Sequence, residues 1–269
     1  MKKFFQILDG SSLKIIAMIF MVIDHIAAYF IPPSSSFYLP MRLIGRLSFF
    51  IFAFLIVEGI RYSKKPINYL LRLLILGIFI DLGTFIFIKE YFGCVLTTFF
   101  IGGLTIYFLE RTPKFYKLLS IIPFTIGILT GFSFFPLRMQ YGPFGLITIF
   151  LFYAGLKITE YLSPTFCKGK IDISEFKKSY SFTLTYVLIG VFLNFCFNGL
   201  CCHFMNEIYS FLDANDVNFA LQSYGLLSSF LLVCYSGKRG INTPIFKWGC
   251  YAFFPLQFII IYLLGLIIL

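Results

Sequence analysis

Residues 13–31 read LKIIAMIFMVIDHIAAYFI, and the reading of this run decides the fold. It is apolar throughout except for Lys14 near its start and the adjacent pair Asp24 and His25. A helix rises about 1.5 Å per residue, so the run spans roughly 28 Å, close to the hydrocarbon thickness of a bilayer. Comparable blocks recur at 43–60, 70–88, 91–109, 118–135, 141–158, 180–200, 219–236 and 250–269. The short alternating segments of a membrane barrel are absent. The expected fold class is therefore all-α: a polytopic transmembrane helical bundle of about nine spans, one integral membrane domain over residues 1–269.

Composition points the same way. Of 269 residues, 59% are hydrophobic and 13% charged, and the mean hydropathy is +0.89. Soluble domains are nearer to half apolar and a quarter charged. The net charge of +10 does not imply nucleic acid, because the cations collect in alternate connections. With the amino end cytoplasmic, sixteen lysines and arginines fall inside, against only Arg42, Lys89 and Arg138 outside. That asymmetry predicts a cytoplasmic N-terminus, an extracytoplasmic C-terminus and contact with anionic membrane lipids. The first apolar run lacks a small-residue cleavage site before Pro32 and is read as a retained helix. The expected location is a bacterial inner or plasma membrane, crossed several times.

Of the connections, 201–218 (CCHFMNEIYSFLDANDVN) faces outward on this topology and carries Glu207, Asp213 and Asp216 without a Lys or Arg. Cys201, Cys202 and His203 lie together there, but the seven cysteines show no spacing that assigns a metal or a disulfide.

The ionisable residues inside the spans narrow the function. Asp24 and His25 lie toward the outer side of span one, with Arg46 at similar depth in span two. Glu58 and Arg72 lie near the inner surface, Asp81 near mid-depth, and Gln257 mid-depth in the last span. A charge at that depth costs on the order of 3 kcal/mol unless it meets a partner or a wet cavity. Arg46 can snorkel to the headgroups or pair with Asp24 to pin two spans. His25 can be a packed core residue or a base. Neighbours on a helix point about 100° apart, so Asp24 does not orient His25 face-on. A histidine, a carboxylate and an arginine suit acyl transfer: a base or nucleophile, and a positive group for the oxyanion. They also suit a proton-coupled transporter. The turn YSGKRG (235–240) sets Lys238 and Arg239 between Gly237 and Gly240, suited to a phosphate-bearing donor from the cytoplasm. The sidedness of charge alone also produces such a basic turn.

In order along the chain, LDGSSLKIIAMIFMVIDHIAAYF from Leu8, MRLIGRLSFFIFAFLIVEGIRYSK from Met41, YLLRLLILGIF from Tyr69, YGPFGL from Tyr141, YSGKRG from Tyr235 and YAFFPLQFIIIYLL from Tyr251 resemble the TraX family of conjugal-transfer-associated membrane proteins. The best-known member is associated with amino-terminal acetylation of the conjugative pilin, and the family resembles multi-span acyltransferases that use acetyl-CoA. The resemblance implies a membrane acyltransferase moving acetyl from cytoplasmic acetyl-CoA to an amine or hydroxyl of a peptide or surface glycan. It implies His25, Asp24, Arg46 and Glu58 as catalytic residues. Lys238, Arg239, Gly237, Gly240, Arg72 and Gln257 are implied at the donor site, with no metal. The alternative is a non-enzymatic transporter or assembly factor for a surface or secreted peptide. Two departures stand out. The family's closing Pro-Leu-His step here reads Pro255-Leu256-Gln257, and Cys94 stands where the family tends to have Asn. A glutamine binds by hydrogen bonds but is no base at neutral pH, which leaves His25 as the only histidine within an expected span.

Overall fold

Asp9 starts the first helix. Its carboxylate accepts from the Ser12 backbone N–H at 2.8 Å and from the hydroxyls of Ser11 and Ser12, satisfying donors that a helix start leaves open. Helix α1 (Gly10–Phe30) ends at extended Ile31 ahead of Pro32, which disfavours further helix. These features belong to a computed structural model that describes residues 6–89, 93–132, 134–167, 172–200 and 222–268.

Helix α2 runs Tyr38–Tyr62 and α3 Pro66–Ile88, the latter opened by a proline where a missing N–H costs nothing. Then come α4 (Val95–Leu109), α5 (Phe115–Leu119), α6 (Ile121–Leu129) and α7 (Gly142–Cys167). The short α8 (Ile173–Phe176) precedes α9 (Tyr180–Leu200). A 3-10 turn, Tyr224–Ser228, leads into α10 (Ser229–Val233), and α11 covers Pro244–Ile268. Among the described residues the only β pairing is one isolated bridge, Leu8 to Tyr235. The all-helical fold expected from the apolar blocks is the fold observed.

Among the described residues six helices are long and apolar enough to cross a membrane: α1, α2, α3, α7, α9 and α11. The expected nine blocks are met differently at the other three. Val95–Leu109, Phe115–Leu129 and Tyr224–Val233 are apolar but shorter. In the second of these the helix is interrupted at Ser120, whose hydroxyl bonds back to the Lys117 carbonyl. Hydropathy sums over such a break, whereas helix length does not.

Contact density divides the chain into two units. The first comprises Met1–Phe52, Gly155–Phe195 and Ala220–Leu269, the second Ala53–Ala154 and Cys196–Phe219. In the first, Leu13, Ala17, Phe50, Phe182, Tyr186 and Tyr235 are sealed from the surface. The Ser48 hydroxyl bonds the Ala17 carbonyl at 2.8 Å, tying α2 to α1, and the Tyr180 hydroxyl bonds the Val233 carbonyl at 2.9 Å. Helix α1 also packs against α11. In the second, α3 lies along α4 and α4 along α6, with Phe54 edge-on to Phe152 at 5.7 Å. Apolar side chains left exposed on α1, α3, α9 and α11, such as Ile19, Ile75, Phe192 and Ile260, are surfaces that lipid satisfies as readily as protein.

Candidate functional site: the Asp24–His25 pair and the Lys-Arg turn

The two members of the Asp-His pair face different helices. Asp24 turns to α2. Its Oδ2 receives the Arg46 Nη2 at 2.6 Å, and the same Nη2 lies 2.9 Å from Oδ1. Arg42, one turn earlier, reaches Oδ1 with its Nη1 at 2.9 Å and the Asp24 backbone carbonyl at 3.3 Å. Four-residue spacing puts both guanidinium groups on one face of α2, so one carboxylate is clasped by two cations. The side chains of Asp24 and Arg46 keep only 13% and 8% of their exposure. Such proximity needs a small residue on α2. A Cβ added at Gly45 would lie 2.2 Å from the Asp24 Cβ and 2.3 Å from its Oδ1.

His25 turns instead to α11. Its ring lies 4.8 Å from that of Phe258, tilted by 46°, and 6.3 Å from Tyr29. The Gln257 amide is close enough to interact with the imidazole. Yet His25 Nδ1 and both Gln257 amide atoms are buried without a well-formed hydrogen bond. The Asp24, His25, Arg46 and Gln257 anticipated from sequence thus gather in the first unit. Arg42 is the residue that sequence reading missed. Charge sidedness sets it among the outer-loop charges, although its four-residue spacing to Arg46 is a visible signal.

At the start of α1 the residues LDGSS are sewn to the basic turn. Leu8 N–H donates to the Cys234 carbonyl at 3.1 Å, Ser236 N–H to the Leu8 carbonyl at 2.8 Å and Gly10 N–H to the Lys238 carbonyl at 2.8 Å. The Ser11 hydroxyl receives the Ile241 N–H at 2.8 Å and itself donates to Asp9 Oδ1 at 2.6 Å. Gly237 and Gly240 both have φ of +75°, a conformation that disfavours side chains. At Gly240 a Cβ would also stand 2.0 Å from the Ser11 hydroxyl. The turn is therefore fixed by its backbone, while the Lys238 and Arg239 side chains stay exposed. Lys14, one turn into α1, interacts electrostatically with Arg239. Lys14 and Arg239, with Lys238 next to Arg239 on the turn, thus put positive charge at one end of the unit, a pattern that fits a phosphate-bearing ligand.

Asp9 gives this junction a pH signature. Burial pushes its carboxyl upward, but the bonds from Ser11 and Ser12 outweigh that and hold it below the ordinary 3.8. A depressed folded-state value contributes stability that is complete above 3.8 and is lost as pH falls through the folded value. Hydrogen exchange at Gly10 and Ser12 is expected to stay slow down to the usual carboxylate range and to quicken only below it. An Asp9→Ala variant, which removes the cap, should show fast exchange with no such acid step.

Glu58 and Arg72 lie in the second unit. Glu58 is buried and its Oε1 accepts from Arg61 Nη1 at 3.3 Å, whereas Arg72 is half-buried on α3. Asp81 faces the Cys94 backbone and the Thr97 hydroxyl across the α3–α4 pair, so Cys94 stands beside a carboxylate. The acidic 201–218 segment, with Cys201, Cys202 and His203, lies outside the described residues.

Comparison with known proteins places these features in a family. No solved structure matches the chain significantly. A curated relative, "Probable fimbrial assembly protein FimC, serogroup H1" of Dichelobacter nodosus, is 41% identical over 66 residues, 24% of this chain and 27% of that protein. The chain thus covers about a quarter of that relative's length. The family model described as "TraX protein" matches residues 9–167, from the Asp9 cap through α7 and more than half of the 269 residues. The chain belongs to the TraX family.

Proposed function

We propose that this chain is a membrane-embedded acyltransferase that moves acetyl from cytoplasmic acetyl-CoA to an amine or hydroxyl on a peptide or surface glycan. The observation that carries the reading is the common use of α1. One end of this helix anchors the Lys238–Arg239 turn, and the other presents His25 beside the clasped Asp24. A histidine in apolar surroundings with a free ring nitrogen suits a base or an acyl-accepting nucleophile. In the transfer, a bond from acceptor nitrogen or oxygen to the acetyl carbon replaces the thioester bond. The acceptor proton leaves through His25, and the CoA sulfur departs as thiolate and is reprotonated. The Arg42 and Arg46 charges lie near enough to favour negative charge developing beside the imidazole.

On this reading the three shorter apolar helices also cross or enter the bilayer, giving nine passages with the N-terminus cytoplasmic and the C-terminus outside, in a bacterial inner membrane. Fifteen residues separate Gly10 from His25, roughly 22 Å along the helix. The donor therefore threads its pantetheine arm along α1, or the acetyl group travels on an acetyl-histidine.

The test is transfer of labelled acetyl from acetyl-CoA to a surface peptide or glycan fraction by protein reconstituted in lipid. Removing both Lys238 and Arg239 side chains as alanines is expected to raise the KM for acetyl-CoA about tenfold or more, with smaller change in kcat. An unchanged KM removes the donor assignment. A second reading, an assembly factor for a surface peptide without chemistry of its own, is favoured by the match to the fimbrial assembly protein. Export or assembly that persists without acetyl-CoA or any added acetyl mass supports it.

A further inference from the structure

Gln257 is the most demanding polar residue in the first unit. It is 5% exposed, lies at mid-helix on α11 after Pro255, and both its Oε1 and its Nε2 lack a hydrogen-bond partner. Buried carboxamides are matched in the great majority of structures, and an unmatched one asks for an unseen partner. The neighbouring His25 Nδ1 is orphaned as well, although the two side chains are close enough to interact. Three unmatched atoms thus converge: one acceptor, one donor, and a ring nitrogen able to be either according to tautomer. The Phe258 ring, 4.8 Å from the imidazole, adds an apolar wall.

The chemistry of this cluster specifies what fills it. A carboxamide satisfied at both ends needs an N–H and a C=O offered together. An extended chain bearing amides presents them on one side, flanking a short aliphatic link. A lone hydroxyl reaches only one end. The apolar wall suits the link.

We propose that Gln257, with His25 Nδ1 beside it, is the seat for an amide-bearing chain, Oε1 accepting from its N–H and Nε2 donating to its C=O. The proposal rests on the acyl-transfer reading for the source of the amide, which is either the pantetheine arm of the donor or the backbone of a peptide acceptor.

Two probes separate these sources: S-acetyl-pantetheine, which has amides but no nucleotide, and a trialanine peptide capped as acetyl and methylamide. Binding of each to the full chain in lipid nanodiscs is measured by titration and by the shift in Tm. Gln257→Leu removes both orphaned ends with a similar apolar shape, so the unliganded variant is expected to be at least as stable as the wild type. Gln257→His keeps a donor and an acceptor and serves as the rescue variant. The expected result is about tenfold weaker binding of one probe to Gln257→Leu, recovered in part by Gln257→His. Loss confined to S-acetyl-pantetheine assigns the seat to the donor, and loss confined to the capped peptide assigns it to the acceptor. Binding of both probes that is indifferent to Gln257→Leu, or absent in the wild type, overturns the proposal. Gln257-dependent binding in a protein that never transfers acetyl overturns the acyl-transfer reading and leaves the seat standing.

Discussion

His25→Ala is expected to lower acetyl transfer from acetyl-CoA by about 10²–10⁴-fold, the range that a positioned base contributes, while the protein still folds and still binds acetyl-CoA. The imidazole makes no well-formed hydrogen bond at Nδ1 and packs against Phe258 and Tyr29, so its removal leaves the helix contacts around it standing. His25→Gln keeps polarity and approximate volume but supplies no base, and it should be as inactive as the alanine. Initial rates with labelled acetyl-CoA, together with binding of unlabelled acetyl-CoA, separate chemistry from recognition. Full transfer by either variant removes His25 from the chemistry. If the acetyl group travels on the ring, brief exposure of wild-type protein to labelled acetyl-CoA without acceptor should also leave label on His25, detectable as an acid-labile adduct.

The adjacent Asp24 and His25 are two residues with separate errands, and helix geometry predicts that much. Which helix each would face could not be read from one chain, because the identity of spatial neighbours depends on packing rather than on local pattern. The apolar blocks gave the six long helices well, since nothing but length and hydropathy decides them. Their ends were less legible. Helix α2 begins at Tyr38, ahead of the apolar block at 43, so Arg42 lies on the helix, just past its first turn, rather than in a loop. Likewise α7 continues to Cys167 through the polar residues Glu160 and Ser163. The LDGSS and YSGKRG motifs, 223 or more residues apart, are each weak alone. Their meaning lies in the hydrogen bonds between them, a contact that no period or composition announces.

The largest effect on stability is expected from Asp24→Ala, about 3–5 kcal/mol, because it takes from Arg42 and Arg46 the carboxylate that balances both at a site where charges are screened poorly. The wild-type clasp is favourable only as a set: one carboxylate answers Arg42 and Arg46 at 2.9 and 2.6 Å, and its loss leaves like charges one helical turn apart. Asp24→Asn, which preserves shape and accepts a hydrogen bond, should be as damaging in charge but less so in packing. A variant lacking both Asp24 and Arg42 should recover part of the loss, and the coupling is measured as a double-mutant cycle on thermal unfolding in nanodiscs. Gly45→Ala attacks the same clasp from the backbone, since its Cβ would stand 2.2 Å from the Asp24 Cβ, and α1 and α2 must separate or the carboxylate must swing away. Equal stability of Asp24→Ala and wild type would mean that the carboxylate serves transfer alone. Loss of stability together with transfer, but with transfer regained in the Arg42-lacking background, would mean that its first duty is to hold α1 against α2 so that His25 is aimed at α11.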